Sequence, residues 1–223
     1  MTAFQALVRE NAELLRQMAH HPFVEGMVRG TLPRESFLFY LRQDYAYLLE
    51  YTRAMSLALA RMDTEAEMAW FARLVHETLN FEMDLHRRTC EKAGISRETL
   101  EATEPTLTTQ AYTAYLVRLA TLSPVEELIA GLLPCEWGYY FVASEAGPDL
   151  PEDPFYRDWI QTYRSEAFKA LGDALIEMLH RRVPSEAHLT PGIRRAFRTS
   201  LEFENLFFWM AWHRGDPWKE APR

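Results

Sequence analysis

Cys135 lies in a sequence context that favours nucleophilic chemistry. Residues 133–137, of sequence LPCEW, have the composition of a helix, yet proline lacks an amide hydrogen and its ring clashes with the preceding turn. We therefore predict that the helix kinks or restarts at Pro134, beside the thiol. Helix starts favour the thiolate, and Tyr139 lies one turn further along the same face. Two interpretations stay open: a nucleophilic thiol, or a buried cysteine that packs as a small hydrophobic residue.

A second group of polar residues has helical spacing in the first half of the chain. Intervals of four, three and four residues separate Tyr40, Asp44, Tyr47 and Tyr51. This spacing puts three phenols and one carboxyl group on a single helix face. Such a face suggests a cavity with apolar walls and hydrogen-bonding tips. The alternative is a half-buried surface on which Asp44 is solvated.

Glu204 is the conspicuous residue of the last predicted helix. Residues 202–212 read EFENLFFWMAW, a composition that predicts a mostly buried helix. A carboxyl group in apolar surroundings has a raised pKa and can donate a proton near neutral pH. The alternative is a buried salt bridge to an arginine. Glu202 points elsewhere on the helix and is expected to be solvated.

Glu82 and His86 lie four residues apart, with His76 further upstream, and raise the question of a metal site. Di-iron helical bundles place Glu and His three residues apart, in two copies on different helices. The spacing of four and the lack of a matching second copy favour a histidine held in the core or at its rim. We expect no metal and no cofactor.

The composition limits the class of protein. The chain has 223 residues, a formal net charge of −8, nine glycines and two distant cysteines. The length suits one large domain, and the few glycines favour helices. The acidic balance, without a Lys/Arg block, predicts no nucleic-acid partner, and the apolar runs are too short for a membrane span. Two cysteines make no disulfide framework, so we predict a cytoplasmic location.

Helical periodicity extends over nearly the whole chain, without strand alternation, an internal repeat or a Gly/Ser-rich linker. The predicted helices cover about 2–19, 22–30, 34–61, 64–93, 110–122, 124–146, 154–182 and 185–213. We predict an all-α protein that forms a single helical-bundle domain over residues 1–223.

Taken together, these residues resemble the TenA/thiaminase II family, which has a haem-oxygenase-like all-α fold. The resemblance covers most of the chain, and its specificity comes from the joint order and spacing of the motifs. They are His21-Pro22-Phe23, Gly30-Thr31-Leu32-Pro33, Gln43-Asp44, Tyr47, Glu82 with His86, Tyr112, Leu133-Pro134-Cys135, Tyr139-Tyr140, Tyr163, and Glu204 six residues before Met210-Ala211. The cysteine is similar to that of the family branch that uses a thiol nucleophile.

The resemblance implies hydrolysis of an aminopyrimidine, either thiamine or 4-amino-5-aminomethyl-2-methylpyrimidine, in thiamine salvage. By resemblance, Cys135 is the nucleophile, Glu204 the acid at a ring nitrogen, and Asp44 the group that binds the amidine-like edge. The remaining implied site residues are Tyr163 at the leaving or incoming group, Tyr47, Tyr112 and Tyr139 along the pocket, and His86 as a residue that steadies one of these groups. The family also implies a homotetramer. Exposed aromatic residues of this chain, such as Trp159, are candidates for an interface.

Two other functions stay open at the level of the sequence. One is a pyrimidine-binding regulator without turnover, against which the thiol and acid pair argues. The other is a di-iron oxidase on the same fold, which requires more Glu and His ligands than the chain supplies.

Overall fold

The computed structural model describes residues 1–216, and these residues contain helices and no strand. This finding confirms the predicted all-α class. The α-helices are α1 (Ala3–Glu10), α2 (Ala12–Ala19), α3 (Pro22–Val28), α4 (Arg34–Leu59), α5 (Glu65–Glu77), α6 (Met83–Lys92), α7 (Arg97–Glu101), α8 (Leu107–Leu122), α9 (Val125–Glu145), α10 (Pro154–Tyr163), α11 (Glu166–Arg182) and α12 (Pro191–His213). A π-helical turn (Thr78–Glu82) joins α5 to α6, and a 3-10 turn (Glu186–His188) precedes α12.

The chain divides into two compact units. The first unit contains residues 1–33 and 126–209, and the second contains residues 34–125 and 210–223. That residues 1–223 form one domain stays a prediction, and residues 217–223 of that domain lie outside the described residues. Within residues 1–216, no helix has both the length and the apolar character that a bilayer span requires.

In the first unit, Asn11 interrupts the helix that was predicted over residues 2–19. Its backbone leaves the helical region, with φ −115° and ψ 19°. The side-chain amide of Asn11 donates to the carbonyl of Leu7 at 2.8 Å. Asparagine side chains compete in this way with the backbone bonds of a helix, which explains why the single helix is wrong.

The helix predicted over residues 154–182 is also two helices. Ser165 caps α11, because its hydroxyl accepts a hydrogen bond from the amide of Phe168 at 3.2 Å. The guanidinium of Arg164 donates to the carbonyl of Ala143 at 2.8 and 2.9 Å and to that of Gly147 at 2.7 Å, beyond the end of α9. These bonds stabilise the break and leave Tyr163 as the last residue of α10.

Helix α9 runs through Pro134 without interruption, so the predicted restart is wrong. Residues 128–134 are all buried. A proline inside a helix costs about 3 kcal/mol, and the burial of seven consecutive residues offsets this cost. Cys135 lies ten positions after Val125, the first residue of α9. The positive end of this helix is therefore too distant to favour the thiolate.

Helices α9 and α11 approach each other closely at Gly172. A Cβ atom built on Gly172 would lie 3.1 Å from both Cα and Cβ of Trp137. Gly138 on α9 differs, because a Cβ atom there would lie 3.6 Å from Cε of Met18, an ordinary contact distance. Only the first of these two glycines is required by the packing of helix backbones. It fixes α9 two residues after Cys135.

We expect Gly172→Ala to lower the free energy of unfolding by about 1–3 kcal/mol, because the added methyl group displaces the backbone at Trp137. Gly138→Ala is the matched control, and we expect it to be neutral or to stabilise by up to about 1 kcal/mol through better helix propensity. Urea unfolding followed by circular dichroism measures both changes. Equal stability of the two variants would contradict the close approach.

In the second unit, Gln43 fixes α4 against the start of α8. Its side-chain oxygen accepts from the hydroxyl of Thr109 at 2.8 Å and from the amide of Thr106 at 3.0 Å. Its side-chain nitrogen donates to the carbonyl of Glu104 at 3.1 Å. Asp44 follows directly on α4, so these bonds also set the position of that carboxyl group.

Asp216 caps the beginning of α8. One carboxylate oxygen accepts from the amide and the hydroxyl of Thr108, both at 2.9 Å, and the other accepts from the amide of Leu107 at 3.2 Å. A carboxylate at this position satisfies amides that have no partner within the helix and opposes the helix dipole favourably. Tyr112 lies one turn further along α8.

The π-helical turn divides the helix that was predicted over residues 64–93. Such turns interrupt the regular backbone bonds and frequently occur near functional sites. The predicted end of that segment at Gly94 is confirmed. Gly94 has φ +83°, and the amide of Ile95 closes the helix by donating to the carbonyl of Cys90 at 2.9 Å.

Candidate active site

The predicted site residues divide equally between the two units. The first unit holds Cys135, Tyr139, Tyr163 and Glu204, and the second holds Asp44, Tyr47, His86 and Tyr112. We describe the two sets separately.

Asp44 and His86 form a buried pair in the second unit. The Nε2 atom of His86 lies 2.7 Å from Oδ2 of Asp44, and the two residues are 5% and 6% exposed. The interpretation of the tyrosine face as a half-buried surface with a solvated Asp44 is therefore wrong. Among the described residues, His86 is the hydrogen-bond partner of Asp44.

The second nitrogen of the His86 ring is also bonded, since Nδ1 lies 2.9 Å from the carbonyl oxygen of Glu82 in the π-helical turn. A carbonyl oxygen only accepts hydrogen bonds, so Nδ1 carries a hydrogen. Burial alone would lower the pKa of His86 by disfavouring the charged ring. The hydrogen bond and negative charge of Asp44, reinforced by Glu82, outweigh burial and raise the pKa of His86 to about 8. The ring is then an imidazolium that donates from both nitrogens at neutral pH.

The contacts of Glu82 and His86 bear on the metal site that their spacing suggested. His86 is held in the core by hydrogen bonds, as predicted, and Glu82 contributes its backbone carbonyl to the ring. Within residues 1–216, no cluster of three or more His, Cys, Asp or Glu side chains has the arrangement of a metal site.

Three tyrosine rings pack together on α4 and α8. The ring centroids of Tyr47 and Tyr112 are 5.2 Å apart, and those of Tyr47 and Tyr51 are 5.8 Å apart. All three residues are buried. Tyr47 lies three residues after Asp44 on the same helix face, so the carboxyl group and the aromatic cluster adjoin.

Tyr139 is the centre of an aromatic cluster in the first unit. Its ring centroid lies 4.9 Å from that of Tyr163, 5.7 Å from that of Phe208 and 5.8 Å from that of Trp159. Trp159 is buried among these rings, so the suggestion that it is an exposed interface residue is wrong. The cluster joins α9, α10 and α12 and gives rigid support to the two predicted phenols.

Helices α9 and α12 run in the same direction within the first unit. Near their starts, a Cβ atom added at Gly192 would overlap the carboxylate of Glu127. Further along both helices, Tyr139 packs on Phe208. Both contact points advance with residue number, as parallel helices require. The carboxylate of Glu127 also lies beside the first turn of α12, where negative charge is favourable.

Cys135 and Glu204 each precede this ring contact on their own helix. Cys135 lies one helical turn, about 6 Å, before Tyr139, and Glu204 lies one turn before Phe208. Residues four apart share a helix face, so Cys135 shares its face with Tyr139 and Glu204 shares its face with Phe208. Glu204 is 2% exposed, and Cys135 is partly exposed.

The two cysteines, neither of which is in a disulfide, differ in burial. Cys90 is fully buried in α6, and burial raises the pKa of its thiol to about 11, against a weak opposing effect of Arg42. A thiol with this pKa is protonated at neutral pH and is a poor nucleophile. Partly exposed Cys135 is therefore the better candidate for thiol chemistry.

Sequence reasoning missed two residues that shape these sites. Phe208 was treated only as part of an aromatic helix, although its spacing of four from Glu204 is a signal for a shared face. The carbonyl of Glu82 was also missed, because backbone acceptors at π-helical turns have no sequence signature.

Comparison with known proteins identifies the class to which this fold and these residues belong. A domain of unknown function with a heme oxygenase-like fold, from Shewanella denitrificans, superposes with a TM-score of 0.75 over 98% of this chain and 96% of that one, at 14% identity. That similarity shows the haem-oxygenase-like fold. The sequence model of the TENA/THI-4/PQQC family matches residues 9–214, and the chain belongs to this family.

Two similar proteins are close enough to compare over their full length. An aminopyrimidine aminohydrolase of Halalkalibacterium halodurans is 38% identical over 215 residues, which cover 95% of this chain and 96% of that protein. The crystal structure of a TenA family transcription regulator from a Silicibacter species has a TM-score of 0.87 and 34% identity, with coverage of 94% and 96%.

Proposed function

We propose that the protein hydrolyses aminopyrimidines at the exocyclic methylene carbon, in thiamine salvage. Family membership and the similarity to the aminopyrimidine aminohydrolase of Halalkalibacterium halodurans support this function. The observation that supports the chemistry is a partly exposed thiol and a buried carboxyl group on two helices that contact each other. Cys135 on α9 and Glu204 on α12 each lie one turn before the packed rings of Tyr139 and Phe208.

In the proposed reaction, the sulfur of Cys135 forms a bond to the ring carbon next to the substituted position. The electron pair of the attacked C=N bond moves to the ring nitrogen, which takes a proton from Glu204. The electron pair of the 4-amino nitrogen then expels the leaving group from the methylene carbon, as ammonia from the protonated aminomethyl group or as the neutral thiazole from the thiazolium. Water adds at that carbon and loses a proton. Return of the ring proton to Glu204 and loss of the thiolate restore the aromatic ring.

The other predicted residues have roles in binding. Asp44 accepts a hydrogen bond from the 4-amino edge, and its negative charge stabilises the positive charge that develops on this nitrogen. Tyr163 bonds to the leaving or incoming group. Tyr47, Tyr112 and Tyr139 line the pyrimidine site through ring stacking or hydroxyl contacts. His86 steadies Asp44.

Separate incubations with thiamine and with 4-amino-5-aminomethyl-2-methylpyrimidine test the function. We expect 4-amino-5-hydroxymethyl-2-methylpyrimidine to form in at least one of them, with ammonia or the thiazole as the second product. Mass spectrometry follows both products, and heat-denatured protein is the control. Absence of product from both substrates would contradict the proposal.

A pyrimidine-binding regulator is the second candidate, because the similar Silicibacter protein is described as a transcription regulator. A regulator binds the pyrimidine and leaves it unchanged, so the same incubations separate the two functions. A nucleophile and a proton source serve no purpose in binding alone, which favours the hydrolase. The di-iron oxidase is disfavoured by the lack of a ligand cluster among residues 1–216.

We further propose that the protein acts as a cytoplasmic homotetramer. Neither cysteine is in a disulfide, as expected in a reducing compartment. Three large apolar residues, Leu79, Phe81 and Leu85, are exposed within seven positions of the second unit, and Phe81 is 65% exposed. A concentration of exposed apolar side chains is typical of a surface that binds another chain.

We expect Phe81→Asp to reduce the mass in solution from that of a tetramer, because a charge at a buried interface opposes association. Leu122→Asp is the matched control, since Leu122 is 78% exposed and ends α8, a different helix from those of the three residues. Light scattering coupled to gel filtration measures the mass. A tetramer that persists in the Phe81 variant would show that the exposed residues do not form the interface.

A further inference from the structure

The carboxylate of Asp44 has one oxygen engaged and one oxygen available. Oδ2 is bonded to Nε2 of His86 at 2.7 Å, and no other described residue donates a hydrogen bond to Asp44. A carboxylate can accept about four hydrogen bonds. A ligand with an N–H donor can therefore bond to Asp44 in addition to His86. The direction of the available oxygen is set by the bond to His86 and by the fixed position of α4.

The ring of His86 is held from both sides. Nδ1 donates to the carbonyl of Glu82 at 2.9 Å, and Nε2 faces Asp44. The charged groups that act on this ring are Asp44 on α4 and Glu82 in the π-helical turn. A neutral ring carries one hydrogen and can donate to only one of the two acceptors, so only the doubly protonated ring supports both bonds.

We propose that His86 is a positioning residue that holds Asp44 as a charged, acceptor-only carboxylate, and that the preference of the site for a 4-amino group depends on this bond. The proposal rests on the proposed function, in which Asp44 binds the 4-amino edge. A doubly protonated ring donates a charge-assisted hydrogen bond to Asp44 and fixes the orientation of its buried carboxylate. An ionised Asp44 accepts hydrogen bonds from the amino group and stabilises its developing positive charge.

Loss of one ring proton weakens this support. The neutral ring can donate to only one of its two acceptors, and the positive charge beside the carboxylate is lost. Since the pKa of His86 is raised to about 8, the support is complete at neutral pH and weakens as the pH rises through this value. Affinity for an aminopyrimidine should fall over the same range.

The test measures binding in the Cys135→Ala background, which holds pyrimidine without turnover. The ligands are 4-amino-5-hydroxymethyl-2-methylpyrimidine and its des-amino analogue, 5-hydroxymethyl-2-methylpyrimidine, titrated by calorimetry between pH 6 and 9.5. We expect His86→Gln to weaken the amino ligand by about tenfold or more at pH 7 and to leave the des-amino ligand nearly unchanged. The decrease in affinity near pH 8 should disappear in this variant.

His76→Gln is the matched control, because His76 is exposed on α5 and its ring contacts Asn80 and Phe81 rather than Asp44. It should preserve both the affinity and its pH dependence. If His86→Gln binds both ligands like the parent, the positioning role is overturned and the proposed function stands. If the parent binds neither ligand, the proposed function fails, and the inference fails with it.

A measurement on the wild-type protein covers the case in which His86→Gln does not fold. Nitrogen-15 NMR of labelled histidine reports the protonation of each ring nitrogen. We expect both nitrogens of His86 to be protonated at pH 7 and the ring to lose one proton near pH 8. A ring that is neutral throughout the range from pH 5 to 8 would overturn the proposal.

Discussion

Cys135→Ala should fold normally and lose at least about 10³-fold in kcat/KM for the aminopyrimidine substrate, because the covalent step loses its nucleophile. Cys135 is partly exposed within α9, and alanine has a high helix propensity, so the change leaves the helix intact. Product formation measured by mass spectrometry gives the rate. Circular dichroism confirms that the fold is retained.

Cys90→Ala is the matched control for this experiment. It removes the other thiol from a fully buried position with a pKa of about 11. We expect a loss of stability from the small cavity but unchanged kcat/KM for the folded protein. Alkylation with iodoacetamide should add one group to the wild-type protein, at Cys135, and none to Cys135→Ala. Full activity of Cys135→Ala would refute covalent thiol catalysis.

Glu204→Gln should lower kcat by about 10²- to 10³-fold, because the amide has the size of the acid but cannot deliver a proton to the ring nitrogen. The buried position of Glu204 on α12 makes the nearly isosteric amide the appropriate change. Steady-state kinetics between pH 5 and 9 measure the loss. The variant should also lose the pH dependence that arises from this group.

Glu202→Gln provides the same chemical change two residues away. Glu202 is half-exposed and pairs with Arg198 at 3.0 Å on the surface of α12. Surface ion pairs contribute less than about 1 kcal/mol, so activity and stability should change little. If Glu204→Gln retains the wild-type rate and pH profile, Glu204 is not the acid.

The sequence predicted the helical class because each amphipathic segment carries its own periodicity. It failed where a single side chain competes with the backbone of a helix. Asn11 and Ser165 end helices through their own hydrogen bonds, and neither interrupts the apolar pattern. The error at Pro134 was the opposite one. A restart of the helix was predicted there as the alternative to a kink, but α9 continues through Pro134, where the preceding residues are buried.

The candidate site was predicted residue by residue, but its pairings were not. His86 and Asp44 are 42 residues apart on different helices, and no local rule joins them. The packing of α9 on α12 likewise depends on contacts between distant segments, such as Tyr139 on Phe208. Periodicity assigns a residue to a helix face. The partner of that face is decided by tertiary packing.

The cap at the start of α8 makes the position of Tyr112 depend on Asp216, a residue from a distant part of the sequence. Asp216 satisfies two amides that begin this helix, and Tyr112 stands in the next turn. A truncation or a protease cut ahead of Asp216 would fray that turn and loosen the phenol without altering any residue that meets the pyrimidine. Purification tags placed after this aspartate should be spaced well away from it.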